Sequence, residues 1–417
     1  MSIEQKNGIY YAVIPYTDGG KQKHKWVRSG PSIKEAEKLE RKLRAEYERG
    51  EITFGKKMTV RAFCDEWLAL QITPKKAPAT VVNYTGHLNN ICKSIGTIDL
   101  AKLTARDIEK HYLGEANRGL SPTSIECQHA TLRQALNAAV SWRLIIKNPA
   151  AEILSPPKRN KPKNAVYTPE QVQELLNAAQ GTEMYLPTML GFLVGLRRGE
   201  ICGLRMQDID LKNKSANIRH ALDRMKIEDA EKLKREEKVV WFGRPAKGGK
   251  TVLALGPLKT DSSEGYVPLP DLVIAAIKAE ITEKKKQKLK FGTAYKDFDF
   301  LWTTDDGNPQ DPDHLYHAFQ LLITTHNTEV KNNEKLKEAD KLKKTLPMIR
   351  PHDMRHTHAT LLLRKKIDIK IVSKKIRHKR ASFTQDYYQH VADDMQSDTA
   401  TAMDELFTIK KSKKRAK

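Results

Sequence analysis

A segment of nine residues, Ser155–Lys163, divides this chain of 417 residues. It contains three prolines and four basic residues. Proline offers no N–H to a helix interior or a central strand, and clustered like charges stay in water, so a packed core cannot run through the segment. The pattern therefore predicts separate domains on either side, joined by a basic linker over residues 156–164.

The charge balance of the chain indicates what it binds. There are 74 Lys and Arg residues against 51 Asp and Glu, which leaves a formal net charge of +23. Solvated lysine-rich helix faces explain many basic proteins, but an excess of this size also attracts polyanions. We expect nucleic acid as the leading partner, ahead of an anionic membrane surface.

Several other classes of protein are disfavoured. The most apolar stretch, Thr188–Leu196, is about half as long as a membrane-spanning helix. Residues 1–6 lack the apolar run of a secretory signal. The four cysteines lie far apart without a CxxC pair, so we expect neither a disulfide framework nor a cysteine zinc site. These features are typical of a soluble protein of a reducing compartment, with no membrane association.

The first 54 residues have the pattern of a small β-sheet-plus-helix domain. Two extended stretches, Ile9–Pro15 and Gln22–Arg28, are separated by a glycine turn. Ser32 and Glu35 then form the pattern of a helix capping box. We therefore predict a domain boundary after residue 54.

The second extended stretch carries basic residues around Trp26, while the first carries tyrosines. Such a β-ribbon suits a DNA groove, but a small sheet that packs its aromatics on its own helix explains the composition equally well. The linker also offers bases that could follow DNA phosphates between two domains. The candidate DNA-binding residues are Lys21, Lys23, Lys25, Trp26, Arg28, Lys158, Arg159 and Lys161.

The rest of the chain reads as two further domains. Residues 55–155 show helical spacing throughout and predict an all-α domain. Residues 165–417 predict a mixed, mainly α domain that opens with the helix capping box Thr168–Gln171 and has a small antiparallel sheet, in which Asp208–Ile218 and Tyr266–Leu269 are strands. Asp223–Lys250 is predicted as a solvated helix and loop inserted into the hairpin between these strands, and the charged segment Lys331–Lys344 is similar. The expected fold class is multidomain α+β.

Four distant segments place cationic residues among apolar neighbours, which is not the pattern of a solvated helix face. Two of them set charged residues three apart, as on one helix face, and a third places a lysine at a predicted hairpin before a strand. In order along the chain, the segments carry Arg197 with Glu200, Lys259, His352 with Arg355, and His378 with Tyr388.

In this order and spacing the segments resemble the tyrosine recombinases, the phage integrase family. The family pattern G-L-R-x-x-E-[IL]-x-x-L is met at Gly195–Leu204. Its box H-D-L-R-H-T-H-A-T-L-L matches His352–Leu362 with one conservative change, Met354. The resemblance is colinear from Thr59 to Val391 and implies a core-binding domain over residues 55–155, a catalytic domain over 165–417 and an arm-type-site domain over 1–54.

The resemblance implies how these residues act. A tyrosine of pKa near 10 is only about 0.1% ionised at pH 7, so its attack on a phosphate needs nearby positive charge. By resemblance, Arg197, Arg355 and His378 stabilise the phosphate, and Glu200 supports Arg197. Lys259 protonates the leaving 5′ oxygen, and His352 assists proton transfer at the tyrosine. Tyr388 is left joined to the 3′ phosphate. The phosphotyrosine stores the bond, so we expect no metal, ATP or other cofactor.

Some positions leave alternatives open. Lys247 and Lys250 compete with Lys259, while Tyr387 stands where many family members place the nucleophile. The match of His378 to His390 favours Tyr388.

The chain also departs from the family pattern. Arg377 and Lys366 replace glycines, and Gly265 replaces an arginine. His356 and His358 are expected to be packing residues, since no cysteine or acidic ligands accompany them for zinc.

The resemblance implies a site-specific DNA recombinase of a phage or conjugative element, acting on DNA in the bacterial cytoplasm. Its expected partners are double-stranded DNA at core and arm-type sites, further copies in a homo-tetramer formed by exchange of a C-terminal helix, and a directionality factor. The rival interpretations are a catalytically silent DNA-binding or architectural protein and a type IB topoisomerase, which uses the same tyrosine chemistry.

Overall fold

A computed structural model describes residues 2–18, 21–48, 58–153, 166–243, 248–258 and 264–377. The chain divides into two compact units, Met1–Pro162 and Lys163–Lys417. The predicted boundary at residue 54 and the linker 156–164 lie outside the described residues. The division into three domains therefore stays a prediction.

The N-terminal part of the first unit is a three-stranded antiparallel sheet with one helix. The strands pair in the order β1-β2-β3, and Ala12, Ile14 and Ala36 are fully buried. The predicted sheet-plus-helix architecture is confirmed, although the first strand was not predicted. The elements are β1 Ile3–Lys6, β2 Ile9–Asp18, β3 Lys21–Gly30 and α1 Ile33–Glu48.

The remainder of the first unit is helical, as predicted. Its apolar faces form one buried cluster that runs in sequence from Val60 to Ile153 and includes Phe63 and Trp67. The ring of Trp67 stacks on that of Tyr84 with centroids 6.0 Å apart. The helices are α2 Val60–Trp67, α3 Pro78–Ile95, α4 Ala105–Asn117 and α5 Pro122–Ser141.

The second unit is mainly helical and has its own core. Thr168 caps its first helix together with Gln171, in the capping box that the sequence predicts. Among the described residues, no helix is long and apolar enough to cross a membrane. The helices are α6 Pro169–Ala179, α7 Tyr185–Met189, α8 Arg198–Gly203, α9 Ile227–Arg235, α10 Asp271–Phe291, α11 Pro312–Asn332, α12 Glu338–Lys344, α13 Pro351–Arg364 and α14 Ile369–Lys375.

Two small antiparallel sheets complete the second unit. One pairs strands in the order β4-β5-β9, and the other in the order β6-β8-β7. The predicted single strand at residues 208–218 is instead two short strands, because residues 211–214 form a turn. The strands are β4 Ile209–Asp210, β5 Ser215–Ile218, β6 His220–Lys226, β7 Trp241–Phe242, β8 Thr251–Pro257 and β9 Gly265–Pro268.

The charged insertion is more structured than the sequence suggests. Helix α9 follows β6 directly and strand β7 lies between α9 and β8 in the chain; β6 and β8 pair over seven residues each. The prediction of a helix within a hairpin is therefore correct, but the second sheet was missed. Its strands carry charged residues such as Asp223 and Arg224, which obscured the period-2 pattern.

Candidate active site

A tight turn leads the chain into the site. After α7 the chain makes one π-helical turn, Leu190–Val194, and then reaches Gly195 with φ of +79°. This left-handed conformation favours glycine, and a Cβ at Gly195 would lie only 2.7 Å from Cδ2 of His358. The turn therefore needs glycine for two reasons, and it presents Arg197 in extended backbone just before α8.

Helix α13 packs directly against this turn. A Cβ at Gly191 would lie 2.6 Å from Met354, which shows how closely the two segments approach. His358 donates from Nδ1 to the carbonyl of Phe192 at 2.8 Å, and Arg355 donates from Nη1 to the carbonyl of Gly195 at 2.7 Å. These contacts hold Arg355 beside a segment 160 residues earlier in the chain.

The carboxylate of Glu200 is the centre of the site. It accepts hydrogen bonds from Nη1 of Arg197 at 2.6 Å and from the backbone N–H of Arg197 at 2.9 Å. Nη1 of Arg355 lies 4.0 Å from the same carboxylate, and Nη2 of Arg377 donates to it. Three guanidinium groups thus surround one carboxylate, of which only 1% is exposed.

The electrostatics of the cluster keep Glu200 ionised. Burial by itself raises the pKa of Glu200, but the charges of Arg377, Arg197 and Arg355 outweigh it, so the pKa lies below its usual value. The carboxylate can therefore only accept hydrogen bonds at neutral pH. This suits a residue that orients arginines rather than one that transfers protons.

His352 lies in the first turn of α13 and is open to solvent. Its ring meets that of His356 edge-on, with centroids 4.7 Å apart. Desolvation by neighbouring atoms and the positive charges of Arg355 and Arg197 lower the pKa of His352, so its ring is neutral at pH 7. A neutral imidazole beside a cationic cluster can accept a proton.

A family comparison identifies this arrangement. The sequence pattern described as the phage integrase family matches residues 165–395, more than half of the chain. The chain belongs to the phage integrase family. The region matched includes all four residues whose side chains form the cluster, namely Arg197, Glu200, Arg355 and Arg377.

Relatives within the family match nearly the whole chain. A tyrosine recombinase XerC-like protein of Caldanaerobacter subterraneus subsp. tengcongensis is 25% identical, over 96% of this chain and 98% of its own length. The integrase of Staphylococcus phage L54a is 21% identical, over 88% of this chain and 99% of its own length.

Solved integrase structures share the fold. A fragment of the Tn1549 transposon integrase in complex with transposon right end DNA aligns with a TM-score of 0.62 and 21% identity, covering 82% of this chain and 99% of that one. A lambda integrase tetramer bound to a Holliday junction aligns with a TM-score of 0.52 and 15% identity, covering 93% and 94%.

Part of the predicted catalytic set of this integrase-family chain lies outside the described residues, namely Lys259, His378 and Tyr388. The strands that flank Lys259 belong to different sheets, β8 to one and β9 to the other. The segment between them therefore does not join paired strands, contrary to the predicted hairpin. The linker candidates Lys158, Arg159 and Lys161 also lie outside the described residues.

The aromatic residue of the N-terminal candidates packs within its own sheet. The ring of Trp26 meets Tyr11 edge-on at 6.3 Å, and Nζ of Lys6 lies 3.7 Å from its centroid. Trp26 still exposes 37% of its surface. The basic candidates lie on the same strand, β3, which carries Lys21, Lys23, Lys25 and Arg28, and the last three are exposed. Their contact with DNA stays a prediction.

The other two histidines of α13 are buried, His356 to 6% exposure and His358 to 5%. Among the described residues, no group of three His, Cys, Asp or Glu side chains is placed to hold a metal ion. The packing role expected for both histidines agrees with this burial.

Sequence reasoning missed the role of Arg377 in the cluster. By sequence, Arg377 was noted only as a replacement of glycine, and its φ of +53° is the left-handed conformation that favours glycine. Lys366 has the same conformation with φ of +60°. An arginine in a position that favours glycine is the signal that could have indicated a contact.

Proposed function

We propose that this chain is a site-specific DNA recombinase of a mobile element that cleaves and rejoins DNA through a 3′-phosphotyrosine. The observation that carries the proposal is the meeting of Arg197 and Arg355 at one ionised carboxylate. Arginine binds phosphate oxygens through two parallel N–H groups, and two such residues compensate the charge that develops during attack. The comparisons support the proposal, because integrases, a transposase and a recombinase are among the relatives.

In the proposed mechanism Tyr388 attacks the scissile phosphate while Arg197, Arg355 and His378 bind its non-bridging oxygens. Lys259 protonates the leaving 5′ oxygen, and His352 accepts the tyrosine proton because its ring is neutral at pH 7. The 5′ hydroxyl of a partner strand then attacks the phosphotyrosine and restores a DNA backbone. No ATP is consumed, since the phosphotyrosine stores the bond.

The proposed partners follow from the relatives. Integrase structures in complex with transposon DNA and as a tetramer on a Holliday junction support double-stranded DNA as substrate and a tetramer on it. We propose that residues 395–407 form the exchanged C-terminal helix and that residues 1–54 bind arm-type sites. We also propose that the protein acts in the bacterial cytoplasm together with a directionality factor. Residues 395–407 lie outside the described residues.

A nicked suicide substrate tests the reaction. The DNA spans the junction between the two ends of the element, so that cleavage releases a short strand and traps the protein on the DNA. In EDTA we expect a covalent adduct that peptide mapping locates on Tyr388. Tyr388→Phe is expected to abolish the adduct, and Tyr387→Phe is its matched control.

Each rival interpretation predicts a different result. The absence of an adduct from the unaltered protein on junction DNA indicates a silent DNA-binding protein. Relaxation of supercoiled DNA that lacks the junction indicates a topoisomerase. An adduct on Tyr387 identifies that residue as the nucleophile instead of Tyr388. Recombination by Tyr388→Phe contradicts the proposed mechanism.

A further inference from the structure

Arg377 adds a third guanidinium to the site centred on Glu200. Its Nη2 donates to the Glu200 carboxylate, and its backbone carbonyl accepts a hydrogen bond from Nη2 of Arg197 at 3.3 Å. Only 4% of its side chain is exposed. Arg377 therefore contacts both members of the first ion pair, one with its side chain and the other with its backbone.

The backbone of Arg377 is strained. It is the second residue after α14 and has φ of +53°, the left-handed conformation in which helices usually end with glycine. Glycine adopts this conformation without a clash between Cβ and the backbone. The contacts of the arginine side chain must therefore offset a strain that glycine avoids.

Strand β9 lies beside this side chain. A Cβ at Gly265, the first residue of β9, would lie 4.0 Å from Cδ of Arg377, an ordinary van der Waals distance. With only 4% of its side chain exposed, the arginine is enclosed, rather than lying on the surface as a solvated base.

The cluster carries more positive than negative charge. Among the described residues, three guanidinium groups surround the carboxylate of Glu200, while the neighbouring Asp353 is paired with Arg350 at 3.0 Å. A buried surplus of positive charge is unfavourable unless an anion compensates it. Arg197, with 32% of its side chain exposed, leaves the cluster open on one side.

Two N–H groups of Arg377 lack an acceptor among the described residues. Its Nε and Nη1 are buried, and among the described residues neither has a hydrogen-bond partner. Buried donors normally have acceptors, and the guanidinium fork matches the spacing of two phosphate oxygens. A phosphate in the site would supply both the missing charge and the missing acceptors.

We propose that Arg377 is a third phosphate-binding arginine, whose charge acts on the scissile phosphate together with Arg197 and Arg355. This proposal rests on the proposed recombinase function. If Arg377 had a purely structural role, replacing it would slow cleavage equally whatever the charge of the phosphate. The proposal requires that the loss of cleavage rate depends on that charge.

A neutral phosphate separates the two roles. Single-turnover cleavage is measured at saturating protein on junction DNA with either an ordinary phosphate or an uncharged methylphosphonate at the scissile position. Arg377→Gly relieves the backbone strain and removes the charge, Arg377→Lys keeps the charge, and Arg364→Ala removes an exposed arginine of α13 as a control.

On ordinary DNA we expect Arg377→Gly to cleave about 100-fold more slowly than the unaltered protein. On methylphosphonate DNA the two should cleave at similar rates, because the methyl group replaces one non-bridging oxygen and removes the negative charge on which Arg377 is proposed to act. Arg377→Lys should lie between them on ordinary DNA, and Arg364→Ala should match the unaltered protein. An equal loss on both substrates, or no loss on either, overturns the proposal.

A binding measurement keeps this proposal separate from the recombinase function. If the unaltered protein forms no adduct, the proposed function fails, and the phosphate site is tested by thermal unfolding in inorganic phosphate against chloride of equal ionic strength. Phosphate should raise the Tm of the unaltered protein and of Arg364→Ala more than that of Arg377→Gly. If the glycine variant does not fold, Arg377→Lys, which has fewer donors for phosphate, should show a smaller rise than the unaltered protein. Equal rises in all variants overturn the proposal.

Discussion

The two groups of basic residues in this protein, one on β3 and one around Glu200, are held in different ways. On β3, Lys23, Lys25 and Arg28 are exposed along a strand. Around Glu200, Arg355 and Arg377 are almost fully buried and share one carboxylate. Exposed bases add salt-dependent affinity for any DNA, whereas buried and oriented arginines act on one phosphate. On the roles proposed for the two groups, the placement of a charge, and not its presence, separates binding from chemistry.

The largest effect is expected from Glu200→Gln. This change leaves three guanidinium groups without their carboxylate, which costs about 3–5 kcal/mol when the pair is buried. Urea unfolding should show this loss of free energy of unfolding. As a control, Glu283→Gln removes an exposed ion pair with Lys286 and should change the free energy of unfolding by less than about 0.5 kcal/mol. A similar small effect for both variants would show that the arginines do not depend on Glu200.

A second expected effect concerns the burial of His358, which lies on α13 beside the cluster. Burial lowers the pKa of His358 to about 4, below its ordinary value of 6.5. As the pH falls from 6.5 towards 4, the unfolded chain binds a proton that the folded chain does not, so the folded state loses about 3 kcal/mol of stability.

Unfolding measured over this pH range checks the effect of His358. The stability difference between the unaltered protein and His358→Gln should shrink as the pH falls through the interval. His317→Gln, a change at an exposed histidine of α11, should show no such trend. A pH-independent difference for His358→Gln means that His358 is hydrated.

The smallest effect is expected on β3. Replacing Lys23 and Lys25 by Gln should reduce the slope of log Kobs against log salt concentration by about 1.8 for duplex DNA, if both lysines contact phosphates. Fluorescence anisotropy with arm-type DNA measures the slope, and Lys34→Gln with Lys38→Gln on α1 is the exposed control pair. Adduct formation on saturating junction DNA should not change. An unchanged slope removes these lysines from the proposed DNA surface.

The fold was predictable where local patterns are strong. Apolar periodicity and capping residues identified α6 and the helices of the first unit. The second sheet was missed because β6, the strand that pairs with β8, mixes charged and apolar residues, and β1 was missed because it has only four residues. Short strands are stabilised by partners elsewhere in the chain, so their own sequence carries a weak signal.

The site was predictable in its residue types but not in its arrangement. The motifs identified Arg197, Glu200 and Arg355, and the structure adds Arg377 as their shared neighbour. The side chain of Arg377 bonds to a carboxylate 177 residues earlier, and such a contact leaves no trace in local spacing.

The sequence by itself determined the family, the periodicity of the helices and the residues suited to phosphate chemistry, because these depend on local order and composition. Only the tertiary structure decided that three arginines meet at Glu200. The physical reason is the packing of α13 on the Leu190–Val194 turn, where Gly191 and Gly195 allow two segments about 160 residues apart to approach closely. Close packing at two glycines, and not the charges alone, places those arginines at one carboxylate.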